Sequence, residues 1–278
     1  MIDLRALISS ASELEPLPAS ATRLASLISR ENWKMGDLLD VIAFDQALTP
    51  RILRMANSAA SGSRSTIVNV RDAVVRLGPG SVLSLAIGSR VRDKMQKPVP
   101  QYGLREGQLW THSVAAALAA EMAGAYCGVP IPKEAFAASL LHDVGKLLLA
   151  RFLSPEVLDV LDRAQHLGGL DRLRAESEVL EVHHAELGGL IAQNWALPAG
   201  IARGITHHHT PDEGNDAVSD VVHLANVVAK NIEENPSAPA DRVLLPGPKE
   251  RLRITDENLA SLCAAARERL GDVLAQYN

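Results

Sequence analysis

Over the first hundred residues, apolar side chains recur at spacings of three and four, as in Leu24, Leu27 and Ile28 and again in Leu38, Leu39 and Ile42, while strand-like alternation is scarce. That period gathers the apolar residues on one side of a helix. The core available to such helices is unusual, because aromatics are only 3% of the 278 residues although 47% are apolar, and Ala and Leu fill the difference. Small and straight-chain side chains pack well on helices and poorly on sheets. The sequence therefore predicts an all-α fold, in a chain long enough to bury roughly three quarters of the surface it exposes when unfolded.

Charge and cysteine usage narrow the class further. The formal charge is -5, with a pI near 6.0, so no global positive field draws in nucleic acid or an anionic membrane. Cys127 and Cys263 stand far apart, which excludes a disulfide framework and any CxxC metal or redox site and makes a reducing compartment the expectation. Asp3, Arg5, Glu13, Glu15, Pro16 and Pro18 interrupt the first thirty residues, leaving no apolar signal-peptide core. The longest nearly uncharged run, Ser113 to Pro130, contains Glu121 and falls short of the ~20 residues that cross a bilayer. A cytoplasmic protein with neither nucleic acid nor membrane as partner is expected. No GxGxxG, GxxxxGK or GxSxG segment occurs, so dinucleotide, phosphate-loop and serine-hydrolase readings lack a basis.

Helix-breaking segments divide the chain. Glu15 to Pro18, Ser58 to Ser65 and Leu77 to Gly80 suit turns between about five helices in the first hundred residues. Pro98, Pro100 and Gly103 prevent a helix from continuing through Lys97 to Gly103, which predicts an N-terminal helical bundle over 1–100 packed on a second helical bundle over 101–278. Helices are expected near 104–127, 132–151, 155–166, 171–182, 184–195, 198–208, 216–233 and 256–276. Four prolines between Asn235 and Pro248 predict a long surface loop near 235–250.

The histidines carry the chemistry. All nine lie between His112 and His223, none in the first 111 residues or the last 55. The sharpest element is Leu140-Leu141-His142-Asp143-Val144-Gly145-Lys146, where adjacent imidazole and carboxylate heads follow an apolar helical run and can converge on one ion at the helix flank. Around it stand His112 before, His184 after, then His207-His208-His209 and Asn226, each on its own helical stretch. Ligands drawn from several helices are how a metal site is built inside an α bundle. His166, His183, His207 and His223 read as structural, capping helices or bonding carbonyls. Asn57 and Ser58 read as a helix end, and Arg51, Arg54, Arg64, Arg71, Arg76, Arg90 and Arg92 as a solvated face open to a small anion or an acidic partner.

Taken together, these residues resemble the HD superfamily of metal-dependent phosphohydrolases and, more closely, its divergent branch of HDOD domains in bacterial signalling proteins. The resemblance runs from about residue 14 through Leu14-Glu15-Pro16-Leu17-Pro18, Phe44 to Thr49, Met55-Ala56-Asn57-Ser58-Ala59 and Val70 to Gly78. It continues in Leu109 to Ser113, Ala137 to Lys146, Glu176, His184 to Gly188, Trp195 to Pro198 and His208-His209. It implies an N-terminal helical bundle packed on a C-terminal HD-like helical bundle, and metal ligands at His112, His142, Asp143, His184, His208 and His209. There are departures. The superfamily supplies an Asp from the late helix where this chain has Asn226, a related phosphodiesterase branch can place a carboxylate where Gln108 stands, and Glu186 to Gly189 replace that branch's glycine, tyrosine and proline signature.

The resemblance implies a regulatory module that works by protein contact without catalysis, acting on a signalling partner in trans. A second reading is a metal-dependent phosphohydrolase or phosphodiesterase, with His112, His142 and Asp143 on one ion, His184, His208 and His209 on another, and Asp143 and Lys146 as its catalytic groups. A third keeps the ion, whether iron, manganese or zinc, as a clip between helices.

Overall fold

The protein, described here from a computed structural model, is defined over residues 7, 9–11, 15–30, 32–58, 66–233 and 242–276. In chain order its helices are α1 (Ala19–Ile28), α2 (Met35–Ala43), α3 (Leu48–Ala56) and α4 (Val70–Met95), then α5 (Gln108–Met122), α6 (Ala135–Leu141), α7 (Gly145–Leu149) and α8 (Pro155–His166). These are followed by α9 (Arg172–Leu180), α10 (His184–Asn194), α11 (Ala199–Thr206), α12 (Pro211–Gly214), α13 (Ala217–Ile232), α14 (Pro246–Arg251) and α15 (Asp256–Gln276). The all-α expectation holds: among the described residues β pairing is confined to one isolated antiparallel bridge, Val99 to Leu104.

Helix α5 shows why the composition suits the fold. From Leu109 to Ala120 every residue except Thr111 is buried, the mark of a helix with no solvent face. Its alanines give the small radius that lets α13, α15, α6 and α4 pack against it from different sides. A second layer, α10 and α11, closes on α6, α7 and α13. The first four helices pack on one another, and α4 also packs on α5 and α6.

The punctuation is enforced by backbone chemistry. Asn69 caps α4, its side chain accepting from the Asp72 N–H. Within α4 the Leu77 to Gly80 segment makes a kink, with Gly78 at φ 78°, where Pro79 lacks the amide proton that a continuous helix needs. Between α4 and α5 the chain makes a single 3-10 turn, Pro100–Tyr102, closed by Gly103 in the left-handed region.

Two expectations need correcting. The helix expected over 132–151 is broken into α6 and α7 by a turn at His142 to Val144, because the start of α7 must press against α10. The loop expected over 235–250 carries helix α14, with Pro246 in its first turn, where the missing N–H costs no helical bond. Residues 235–241 of that loop, and most of the turn expected over Ser58 to Ser65, lie outside the described residues.

Candidate metal centre

The approach of α7 to α10 sets the centre's dimensions. A Cβ on Gly145 would overlap the His184 carbonyl and stand 2.7 Å from the Gly188 nitrogen, and one on Gly188 would stand 2.7 Å from Ile205 Cγ2. Glycine at both positions lets α7 and α10 touch backbone to backbone and seats the Ile205 side chain of α11 against α10, bringing the His142-Asp143 turn beneath the first residue of α10, His184. The start of α10 is fixed by a capping box in which His183 accepts from the Glu186 N–H and Glu186 reaches back to the His183 N–H. His112 comes from the second turn of α5 and Asn226 from the middle of α13, while His208 and His209 follow the end of α11.

All six residues singled out by the resemblance converge. His112 Nε2 lies 3.1 Å from His142 Nε2, and both face Asp143 Oδ2, at 3.5 and 3.4 Å. On the other side of the carboxylate, His184 Nε2 stands 3.4 Å and His208 Nε2 3.9 Å from Asp143 Oδ1, and His209 Nε2 is 3.2 Å from His184 Nε2. Two clusters, His112-His142-Asp143 and His184-His208-His209, thus flank the two oxygens of one carboxylate. Asn226 Oδ1 joins the first at 3.2 Å from His112 Nε2.

Each of four imidazoles is held by its other nitrogen. His142 Nδ1 donates to the Ser139 carbonyl and His208 Nδ1 to the Ile205 carbonyl, each at 2.7 Å. His184 Nδ1 donates to Glu176 Oε2 at 2.7 Å, and His112 Nδ1 to Glu233 Oε1 at 2.5 Å. With the proton placed on Nδ1 by these acceptors, the Nε2 atoms turn bare lone pairs toward Asp143, the tautomer and orientation that metal-ligating histidines take. His208 Nε2 is fully buried and has no hydrogen-bond partner among the described residues. Lone pairs facing lone pairs in a dry interior are repulsive until a cation stands among them, so the residues fit a divalent metal.

The electrostatics agree. Burial, reinforced by neighbouring imidazoles, holds His208 and His209 well below the ordinary histidine range, and burial lowers His112 despite the Glu233 bond. All three are neutral at physiological pH, as ligation requires. Burial pushes the Asp143 carboxyl up, but the Lys146 ammonium, 2.6 Å from Oδ2, outweighs that and keeps it well below the usual carboxylate range. For Glu176, burial is likewise overcome, here by the ring and backbone N–H groups of His184 that its Oε2 accepts, which hold it below the usual carboxylate range.

Other residues singled out in the sequence have different duties. Lys146 lies at the edge of the site on Asp143. His223 sits behind it, donating to the His208 carbonyl at 2.8 Å and accepting from the Leu245 N–H. His207 faces the Thr210 hydroxyl, and His166 is exposed in the last turn of α8. Gln108 accepts from the Arg105 N–H. Asn57 joins the end of α3 to Ile67 through three hydrogen bonds to Leu53 and Ile67.

Sequence reasoning missed Glu233 altogether and gave Glu176 no role. Glu176 is fully buried and bonds both the Nδ1 and the backbone N–H of His184. Arg172 holds it in turn at 3.3 Å, donates to the Gln101 carbonyl and lies 4.8 Å over the Tyr102 ring, which connects the α4–α5 linker to the centre.

Residues 14–211 match the HDOD domain family. An uncharacterized protein of Treponema pallidum strain Nichols is 24% identical over 259 residues, covering 90% of this chain and 49% of that protein. An HDOD domain protein of unknown function from Geobacter sulfurreducens superposes with a TM-score of 0.70 at 22% identity, covering 99% of this chain and 98% of that one. A protein from Shewanella amazonensis SB2B, named provisionally as a phosphohydrolase, superposes with a TM-score of 0.66 at 25% identity, over 98% and 97%. A Marinobacter aquaeolei VT8 protein, named provisionally for signal transduction, gives 0.73 at 21% identity, and this chain spans 64% of it. No helix among the described residues is long and apolar enough to cross a membrane.

Proposed function

The chain belongs to the HDOD domain family, and from that premise we propose that it is a metal-binding regulatory domain of bacterial signalling, whose output is contact with a partner protein. The observation that carries the metal is the ring of proton-free Nε2 atoms around Asp143, each imidazole fixed from behind by its own acceptor. His112, His142 and Asp143 would hold one ion and His184, His208 and His209 a second or a shared one. A bound divalent ion supplies the positive charge these lone pairs need and ties α5, the α6–α7 turn, α10 and the end of α11 into one unit.

Burial and charge favour regulation over hydrolysis. His142 and His208 are 0% exposed and Asp143 1%, so the ligands offer little surface to a phosphodiester. The inner set has one carboxylate, already paired with Lys146, and Asn226 is neutral. A centre so poor in negative charge holds a divalent ion less firmly than a carboxylate-rich one.

The second reading, a metal-dependent phosphohydrolase, is favoured by one feature: two clusters share a single carboxylate, with an ammonium at their edge, an arrangement suited to holding a phosphoryl group between charges. Metal analysis of the purified chain, before and after reconstitution with iron, manganese and zinc, tests the shared premise, with H142A as the control. Stoichiometric metal that raises the melting temperature, with no turnover across a broad nucleotide and phosphodiester panel, is the expected result. Metal-dependent turnover lost in H142A would establish hydrolysis instead, and a chain that takes up no metal would refute both.

A further inference from the structure

Helix α13 offers two polar groups to the same histidine. Asn226 and Glu233 are seven residues apart, nearly two full turns, and so lie on one helix face. Asn226 Oδ1 stands 3.2 Å from His112 Nε2, and Glu233 Oε1 stands 2.5 Å from His112 Nδ1. Glu233 is the C-cap of the helix, where the backbone leaves the helical region at φ -64°, ψ 145°. That departure leaves its side chain 31% exposed at the edge of the site, while the His112 side chain is 10% exposed.

The other anchored ligands divide by what holds them. His142 and His208 rest on main-chain carbonyls, which are neutral, whereas His184 and His112 rest on carboxylates. A carboxylate behind an imidazole fixes the tautomer and makes the opposite nitrogen a stronger donor to a metal. Each cluster therefore has one such reinforced histidine: Glu176 serves the His184 side, and Glu233 serves the side where Asn226 brings no charge.

We propose that Glu233 is a positioning residue that fixes His112 as the Nδ1–H tautomer and lends the first cluster, through the imidazole, the negative charge that Asn226 does not provide. The carboxylate touches no ion itself. Its effect on affinity rests on the metal-binding reading above, whereas its effect on the tautomer does not.

Two measurements on the full chain test the proposal. Long-range proton–nitrogen NMR of the metal-free protein reads the His112 tautomer. The wild type is expected to show Nδ1 protonated and Nε2 bare, E233Q to retain that pattern because its amide oxygen still accepts, and E233A to lose it. Titration with Mn²⁺ alone then separates geometry from charge. E233Q is expected to bind about tenfold more weakly, at the lower edge of the ~10–100-fold effect of such outer partners, with the metal-free melting temperature unchanged, and N226D added to E233Q is expected to restore affinity. A purely structural tie between α13 and α5 would lower the melting temperature of E233Q without a selective loss of affinity, which would overturn the proposal. So would an E233A protein that keeps the Nδ1–H tautomer, or an E233Q protein that binds Mn²⁺ as the wild type does. If the wild type itself takes no Mn²⁺, the metal-binding reading falls, and the tautomer measurement still decides whether Glu233 sets the ring.

Discussion

Replacing Gly145 with alanine puts a methyl group where two helices meet backbone to backbone. The added carbon would overlap the His184 carbonyl and lie 2.7 Å from the Gly188 nitrogen, whereas ordinary contacts begin near 3.4 Å. Relieving the nitrogen alone requires a shift of about 0.7 Å, and the carbonyl requires more. Neither obstacle is a side chain that can rotate aside, so α7 and α10 must separate. Overpacking costs ~1–3 kcal/mol, and rigid backbone on both sides puts this case near the upper value. At ~2–4 °C per kcal/mol for a chain of this size, the melting temperature should fall by roughly 6–12 °C. The same separation carries His184 away from Asp143, from which its Nε2 now stands 3.4 Å. Mn²⁺ affinity should therefore fall along with stability, as calorimetric melting and Mn²⁺ titration of the same preparation would show. Gly36 is the control: nothing lies within 4 Å of its added Cβ. Its place in the first turn of α2 predicts that G36A gains up to ~0.5–1 kcal/mol from reduced chain entropy. A G145A protein that melts with the wild type and binds Mn²⁺ equally well would refute the close-packing argument and the role it gives the HD-turn glycine.

Three further expectations are independent of that one. Mn²⁺ or Zn²⁺ at a hundred times its dissociation constant should stabilise the fold by ~2.7 kcal/mol; chelation should abolish the increment and H142A should never show it, which a melting series with and without EDTA would check. Arg251 holds Asp220, 2% exposed, through two hydrogen bonds of 2.8 and 2.6 Å. R251M should therefore cost ~3 kcal/mol in urea unfolding, the low end for stranding a buried charge, since water can follow where Arg251 was 37% exposed. Adding D220N should recover most of that loss, and additive losses in the double variant would count against the pair. Burial pushes the Cys127 thiol up to about 11, so in a C263S background its reaction with a disulfide reagent at pH 8 should run on roughly a thousandth of the thiol and quicken about tenfold per pH unit up to pH 10. Labelling as fast as free cysteine at pH 8 would contradict it.

The spacing of Leu24, Leu27 and Ile28 was enough to indicate helices, because amphipathic period is a local property. The Pro and Gly breaks at Leu77 to Gly80 and Lys97 to Gly103 were equally legible, since backbone chemistry acts at the residue itself. The break at His142 was not: nothing between Ala135 and Leu149 disfavours a continuous helix apart from Gly145, and the reason for that glycine lies on α10. The convergence of His112, His142, Asp143, His184, His208 and His209 followed the resemblance, which carries tertiary information that single-chain periodicity lacks. The anchors behind the ligands left almost no trace in the sequence. The Ser139 and Ile205 acceptors are main-chain atoms, and Glu233 stands 121 residues from His112. Only the capping position of a carboxylate seven residues after Asn226 could have drawn attention to it.

The candidate metal centre also has a meaning for the ion-free chain. Several lone pairs brought together in a dry interior, each turned inward by a hydrogen bond on its far side, form a locally frustrated spot in an otherwise self-consistent fold. The imidazoles have easier orientations available, and what denies them those orientations is the set of far-side acceptors: the Ser139 and Ile205 carbonyls and the Glu176 and Glu233 carboxylates. This site is therefore under tension that the alanine-rich stretch of α5 beyond His112, from Val114 to Ala120, does not share. In the chelated protein the amides of the His142 to Val144 turn and of the α10 start should exchange with solvent ahead of those of α5, and binding of an ion should slow them to the rate of the whole. Folding and ligand capture would then be stages of one process, with the last part of the native state completed only when the cation arrives.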